Sequence, residues 1–183
     1  MEVIVSQDNK KIKNLSKLLI KKYRDSEGMF LVNGQHLVEE AYKKGILVEV
    51  IKTEDCDLNF DVATTYVSYD VLKKLTNVET PQRIIGLCKK IEEKEYGNKI
   101  LLLDDIQDPG NLGTIIRSSV AFSVDTIVLS NNSVDLYNDK VIRSSEGMLF
   151  HINVIRRDII ELIKELKYNG YKIYGTKVDG GNN

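Results

Sequence analysis

Residues Lys99 to Val120, KILLLDDIQDPGNLGTIIRSSV, read as a strand, a loop and a helix in immediate succession. Ile100 to Leu103 is an unbroken apolar run, the pattern of a strand covered on both faces of a parallel sheet. Pro109 and Gly110 end it, because proline has no N–H for a ladder and glycine reaches backbone angles closed to other residues. A helix then spans about Asn111 to Phe122, with Leu112, Ile115, Ile116, Ser119 and Val120 at spacings of three and four. That side packs, and Arg117 points away from it. A tight strand-to-helix turn with free N–H groups and a nearby guanidinium can hold an anion. An ordinary βα unit with a capped helix accounts for the same residues, and the pattern alone leaves both readings open.

Downstream, strands are predicted at Thr126 to Ser130, Ile152 to Ile155 and Tyr171 to Thr176, alternating with helices near Asn138 to Ser145 and Asp158 to Tyr168. Alternation of this length argues for a mostly parallel sheet with helices on its faces. Gly175 to Asn183 is polar and glycine-rich and is expected to fray or turn. Upstream, Ile91 to Asn98 (IEEKEYGN) is charged, lacks apolar periodicity and reads as a linker. Ahead of it, an apolar start at Val3 to Val5 is followed by strands at Met29 to Val32, Leu47 to Lys52, Thr65 to Ser68 and Arg83 to Cys88. Helices are predicted at Asn9 to Lys22, Gly34 to Lys44 and Val71 to Leu75. The fold class is α/β throughout.

The chain of 183 residues carries 26 Lys and Arg against 27 Asp and Glu, and this balance excludes nucleic-acid binding through overall charge alone. The charge is local: residues 1–24 hold seven Lys or Arg and two Asp or Glu. On the first predicted helix Ile12, Leu15 and Leu19 share one face while Lys10, Lys13, Lys17, Lys21 and Arg24 line the other. A solvated helix face and a phosphate-tracking surface both fit. Gln82 and Arg83, at the entry to a strand, are candidates for RNA contact or parts of a loop that caps a helix. Cys56 and Cys88 lie far apart without ligand spacing and read as reduced structural thiols. His36 and His151 fit no metal-ligand pattern, so no metal is expected. With no leader-like start and no apolar run near ~18 residues, no membrane partner and a cytoplasmic location are expected.

The run DDIQDPGNLGTIIRSS, followed by IVLSNNSVDLYNDKVIRSSEGMLFHINV, resembles the first signature motif and following segment of the SpoU (TrmH) family of RNA ribose methyltransferases, within the knotted SPOUT superfamily. NKKIKNLSKLLIKKYRDSEGMFLVNGQHLVEEA and LTNVETPQRIIGLCKK resemble the small α/β substrate-binding domain that often precedes it. The resemblance implies an RNA substrate-binding domain over residues 1–95 and the N-terminal portion of a mostly parallel, SPOUT-like methyltransferase domain over residues 98–183. It implies methyl transfer from S-adenosylmethionine to a ribose 2′-hydroxyl of rRNA or tRNA, with Arg117 as the motif's catalytic arginine and Asn111 as its characteristic asparagine. It favours Lys10, Lys13, Lys17, Lys21, Arg24, Gln82, Arg83 and Arg143 as RNA contacts. A guanidinium with a pKa above ~12 rarely gives up a proton. Gripping an RNA phosphate therefore suits Arg117 better than acting as base, and a phosphate oxygen or water takes the proton.

Asp108 is expected to cap or organise the loop. Arg143 and Glu146 either support the site or form a surface ion pair worth at most ~1 kcal/mol. Asn33 stands where the family commonly has an acid before the glycine. Two later family motifs, which thread the knot and form most of the cofactor pocket, have no counterpart in the sequence. The catalytic domain is thus expected to be incomplete, with its cofactor-binding residues in the missing C-terminal segment and a sheet edge left uncovered. The family's homodimer draws much of its interface from that knot. A non-catalytic RNA-binding protein is the alternative reading.

Overall fold

The alternation of patterns resolves into two sheets in the computed structural model, which describes residues 2–176. The first sheet contains β1 (Val3–Ile4), β2 (Met29–Asn33), β3 (Leu47–Lys52), β4 (Ala63–Val67) and β5 (Ile84–Lys89), in the order β1-β4-β3-β5-β2. β4 runs parallel to β1 and β3, whereas β5 runs antiparallel to β3 and β2. Side chains alternate across a strand, so each face has its own partners. Leu31, Ile51 and Ile85 face α1 (Lys10–Lys17) and α4 (Tyr69–Lys73), where Ile12, Leu15, Val71 and Leu72 close one core. Phe30, Val32, Val50, Ile84 and Cys88 face the other way, onto α3 (Gln35–Lys43). Residue 86, on that second face, is glycine because a Cβ there would stand 2.8 Å from Leu47 and 2.9 Å from Val32.

The second sheet is parallel throughout the described residues: β6 (Ile100–Leu103), β7 (Thr126–Leu129) and β8 (Asn153–Arg156), with β7 in the middle. Its helices are α5 (Pro109–Ala121), α6 (Asp139–Ser144) and α7 (Ile159–Tyr168), with a 3₁₀ turn at Met148–His151. β7 is buried at all positions, as its apolar run demands. β6 pairs only with β7 among the described residues and its positions stay half-exposed, yet both its faces are covered as expected: Leu101 and Leu103 pack against one core, Ile100 and Leu102 against another.

The expected strand at Tyr171 to Thr176 does not form. Its side chains dock without a ladder. The Tyr171 ring meets Tyr96 edge-on at 6.1 Å, its hydroxyl donates to the Gly97 carbonyl, and Ile173 joins Val128, Ile155, Leu162 and Leu166. The remainder of the expected polar tail, 177–183, lies outside the described residues.

The single helix expected over Asn9 to Lys22 is also corrected. α1 stops at Lys17; the N–H groups of Leu18, Leu19 and Ile20 turn back to carbonyls three residues earlier, and Ile20 is extended (φ −103°, ψ 130°). α2 (Lys21–Glu27) then starts afresh. At the break Leu18 is buried, Leu19 half-buried and Ile20 56% exposed, so the helix ends where a third consecutive apolar residue leaves the packing face. The restart shifts the phase of the second helix, and Arg24, which a continuous helix places with the lysines, turns inward.

The two sheets share one apolar cluster. Phe30, Val32, Leu37 and Val38 pack with Leu112, Ile116, Ile127, Val141, Leu149 and Phe150. The predicted linker has no regular structure, but it is tied down: the Ile91 N–H donates to the Tyr137 hydroxyl and the Lys94 N–H to the Asn153 side chain.

Candidate functional site

The site begins at the turn into α5. Asp108 is its N-cap, the carboxylate accepting from the Asn111 N–H at 2.7 Å. That bond, with Lys140 3.6 Å away, holds the Asp108 carboxyl below its ordinary value. Pro109 opens the helix where its missing N–H has no intrahelical partner to lose. α5 approaches α6 closely because residue 113 is glycine: a Cβ would lie 2.8 Å from the Ser144 carbonyl carbon. The Ser144 hydroxyl in turn donates to the Lys140 carbonyl at 2.6 Å.

Leu112, Gly113, Ile116 and Ser119 are buried, which leaves Asn111, Thr114 and Arg117 as an exposed row three residues apart. At 1.5 Å per residue Asn111 and Arg117 are ~9 Å apart along the axis. The first-turn N–H groups that the sequence left free for an anion are taken by the protein itself, Asn111 by the Asp108 carboxylate and Leu112 by the Asp108 carbonyl, so the exposed Arg117 fork is the donor this corner presents to an anion.

The loops after β6 and β7 are fixed to each other beside this corner. The Asp105 and Ile106 N–H groups donate to the hydroxyls of Ser130 and Ser133, and the Val134 N–H donates to the Ile106 carbonyl. Arg156, at the end of β8, donates from one guanidinium to the carbonyls of Ser130, Asn131, Ser133 and Val134. Sequence reasoning missed Arg156 and Lys140. An arginine at the C-terminal end of a predicted strand was the available signal for the first; nothing local marks the second.

The expected RNA contacts separate. Lys10 is exposed; Lys13 pairs with Asp8 at 2.8 Å, Lys17 donates to Asn14 at 3.1 Å, and Lys21 pairs with Asp25. Arg24 does not belong with them. It is 7% exposed, pairs with Asp135 at 2.6 Å and donates to the Leu18 carbonyl at 2.7 Å, so it joins the two halves and is removed from the basic face. Gln82 caps: its side-chain oxygen accepts from the Gln35 N–H at the start of α3, at 2.7 Å. Arg83 pairs with Asp55 beside the Tyr69 ring.

Arg143 pairs with Asp139 one turn earlier, at 3.0 Å, which replaces the expected Arg143–Glu146 pair. The Glu146 backbone is left-handed (φ 50°), and its carbonyl oxygen lies 3.1 Å from His36 Nε2. Arg24, Asn33 and Arg143 meet around a cavity of about 210 Å³ between the first sheet and the start of α6, where Asn33 donates to the Thr76 hydroxyl. Arg117 is not part of that lining.

His151 lies 2.8 Å from the Glu40 carboxylate, which Lys43 and His151 hold below its ordinary range. Cys56 and Cys88 are both free thiols, and burial pushes Cys88 up. Among the described residues no group of three or more His, Cys, Asp or Glu side chains could hold a metal ion, and no helix is long and apolar enough to cross a membrane.

Sequence profiles place this geometry among known proteins. That of the SpoU rRNA methylase family matches residues 98–183, and that of the MRM3-like substrate binding domain matches residues 9–86. The chain is 41% identical to the 23S rRNA (guanosine(2553)-2′-O)-methyltransferase RlmP of Bacillus subtilis, an alignment that covers 99% of this chain and 75% of that protein. It is 28% identical to the mitochondrial rRNA methyltransferase 3 of Mus musculus, covering 73% of this chain and 36% of that one. A solved RNA 2′-O ribose methyltransferase superimposes with a TM-score of 0.74 at 32% identity, over 91% of this chain and 70% of that one.

Proposed function

Because the chain belongs to the SpoU rRNA methylase family, we propose that it serves methyl transfer from S-adenosylmethionine to a ribose 2′-hydroxyl of rRNA, with the α5 corner as the reaction site. The observation that carries this reading is the exposed row Asn111, Thr114 and Arg117, set on a capped helix whose opposite side is locked into the core. In-line displacement at a methyl carbon depends chiefly on alignment, and holding two reactants in place can supply ~7–11 kcal/mol of the barrier. Arg117 grips an RNA phosphate, which fixes the ribose; Asn111 orients the sugar near the helix start; the hydroxyl proton passes to a phosphate oxygen or water.

The methyl donor, when bound, supplies an electrophilic sulfonium methyl. Ligands of open parallel sheets sit at the C-terminal ends of the strands. There the carbonyls of Ser130, Asn131, Ser133 and Val134 are already taken up by Arg156, so the described residues do not form a cradle for it. No residue is assigned to hold the donor.

Within the same reading, residues 1–95 are the RNA substrate-binding domain and residues 98–183 the N-terminal portion of the methyltransferase domain. The two separate sheets and the two profile matches support that division. Free thiols at Cys56 and Cys88 suit a reducing cytoplasm. A homodimer follows the family, and exposed Phe122, Ile160 and Tyr168 on the second half suit a subunit contact.

The test is transfer of labelled methyl groups from S-adenosylmethionine to rRNA, followed by alkaline hydrolysis. A 2′-O-methyl blocks cleavage at its own phosphodiester, so alkali-resistant labelled dinucleotides are expected. Label found only in alkali-sensitive nucleotides would remove the ribose as the target.

A further inference from the structure

Residues 9–24 contain seven Lys or Arg and no Asp or Glu. Beside that segment, away from the α5 corner, runs a groove of about 850 Å³. Its floor is apolar, made by Leu15 and Leu18 at the α1 end and by Met29 and Leu87 on the sheet. Tyr23 stands at its side with the Lys17 ammonium 5.9 Å from the ring centre, and Lys10 is at the rim.

An apolar floor, an aromatic ring and a cationic rim together match one chemistry, that of an unpaired nucleotide. Such a nucleotide offers a flat π face, and its backbone carries a negative charge on either side. A duplex presents base edges and phosphates but keeps its faces stacked, so it could use the lysines and not the floor. A peptide could use the floor, but nothing in a neutral apolar peptide answers the ammonium groups of Lys10 and Lys17 at the rim.

We infer that this groove takes an unpaired nucleotide of the RNA substrate, with its base against Tyr23 and the Leu15, Met29 and Leu87 floor, and its flanking phosphates at Lys10 and Lys17. The inference rests on the RNA reading above and adds to it: it selects a substrate with a single-stranded stretch away from the modified position, and it makes Tyr23 a binding residue. Two acids also line the groove: Glu49, which accepts from Lys11 and Thr65, and the exposed Glu27 at the end of α2, so the phosphates are placed at the Lys10 and Lys17 side.

The experiment compares a labelled single-stranded oligoribonucleotide with the same strand annealed to its complement, titrated with the full chain by fluorescence anisotropy. Tyr23→Leu keeps apolar volume and removes the ring; Tyr23→Phe keeps the ring and acts as the folding control. Tyr23→Leu is expected to weaken the single strand about tenfold and leave the duplex unchanged, with Tyr23→Phe like wild type. Lys10→Glu with Lys17→Glu is expected to flatten the salt dependence for the single strand. Equal single-strand affinity in Tyr23→Leu and wild type, or equal weakening of both RNAs, overturns the groove and leaves the methyltransferase reading standing. Wild type that binds neither RNA overturns both. Displacement of the single strand by a neutral apolar peptide, with the salt dependence unaltered by the lysine changes, also overturns the groove as an RNA site.

Discussion

Arg24 on α2 and Arg117 on α5 look alike in the sequence: each lies on the polar side of a predicted helix next to residues suited to an anion. In the structure they are opposites. The Arg24 side chain is 8% exposed and is held by Asp135, a residue 111 positions away, and by a carbonyl of the turn before its own helix. Arg117 is exposed on a helix whose cap, first turn and packing face are all satisfied without it. Helical periodicity tells which side of a helix is polar; it does not tell what arrives to cover that side. One arginine therefore belongs to the fold and the other is left for a ligand.

The comparison breaks most visibly at Arg24. Arg24→Ala leaves the Asp135 carboxylate, itself only 16% exposed, without its partner, and removing one member of a buried pair costs ~3–5 kcal/mol. The expected outcome is a clear fall in Tm, with Asp135→Ala producing a similar fall and the double variant losing less than the sum. An unchanged Tm in Arg24→Ala would show that the two arginines do not differ as described.

A smaller effect tests the rigid side of the α5 corner. Gly113→Ala forces a Cβ to within 2.7 Å of the Ser144 Cβ and 2.8 Å of its carbonyl carbon. Overpacking of this kind costs ~1–3 kcal/mol and should lower the urea midpoint, with partial recovery when Ser144→Gly is added. Full wild-type stability of Gly113→Ala would mean that α5 and α6 are not held at this spacing.

The smallest effect concerns the cap. The Asn111 N–H and Lys140 depress the Asp108 carboxyl below its ordinary 3.8, so its contribution to stability is fully present above that value. It is lost as the pH falls through the lower folded value. The Tm difference between wild type and Asp108→Ala should stay constant in neutral solution and shrink only below pH 3.8. A difference that instead disappears near neutrality would assign it to another group.

Much of this was legible in the sequence, for physical reasons that differ by element. Leu47–Lys52 was read to the residue because strong apolar and β-branched content follows the Gly45 turn directly. α7 was read through its aspartate cap, Asp158, and both α5 and α7 through their inward leucines and isoleucines; α5 was placed two residues late, at Asn111, because Pro109 and Gly110 read as breakers when they form its first turn. The outward placement of Arg117 followed from the same periodicity, whereas Asn111 was named by the resemblance.

The features that failed to show depend on distant partners. The break after Lys17 was hidden because a local pattern of leucines favours helix until the third consecutive apolar residue, and the burial of Arg24 depended on Asp135 in the other half. β6 was read as covered on both faces, as it is, but its half-exposure beside a single paired neighbour among the described residues does not show in its apolar run. Tyr171 and Ile173 have the composition of a strand and dock as side chains without a ladder. Arg156 and its carbonyl partners join three loops that lie well apart in sequence.

The measurement that tests the central claim most directly is the rate of methyl transfer to rRNA by Arg117→Ala, taken with its Tm. Loss of a positioning contact should lower the rate by ~100-fold or more. Because residue 117 makes no part of the α5 packing face, the Tm should match wild type. A fully active Arg117→Ala, or one whose lost activity is accompanied by unfolding, would contradict the assignment of the α5 corner as the reaction site.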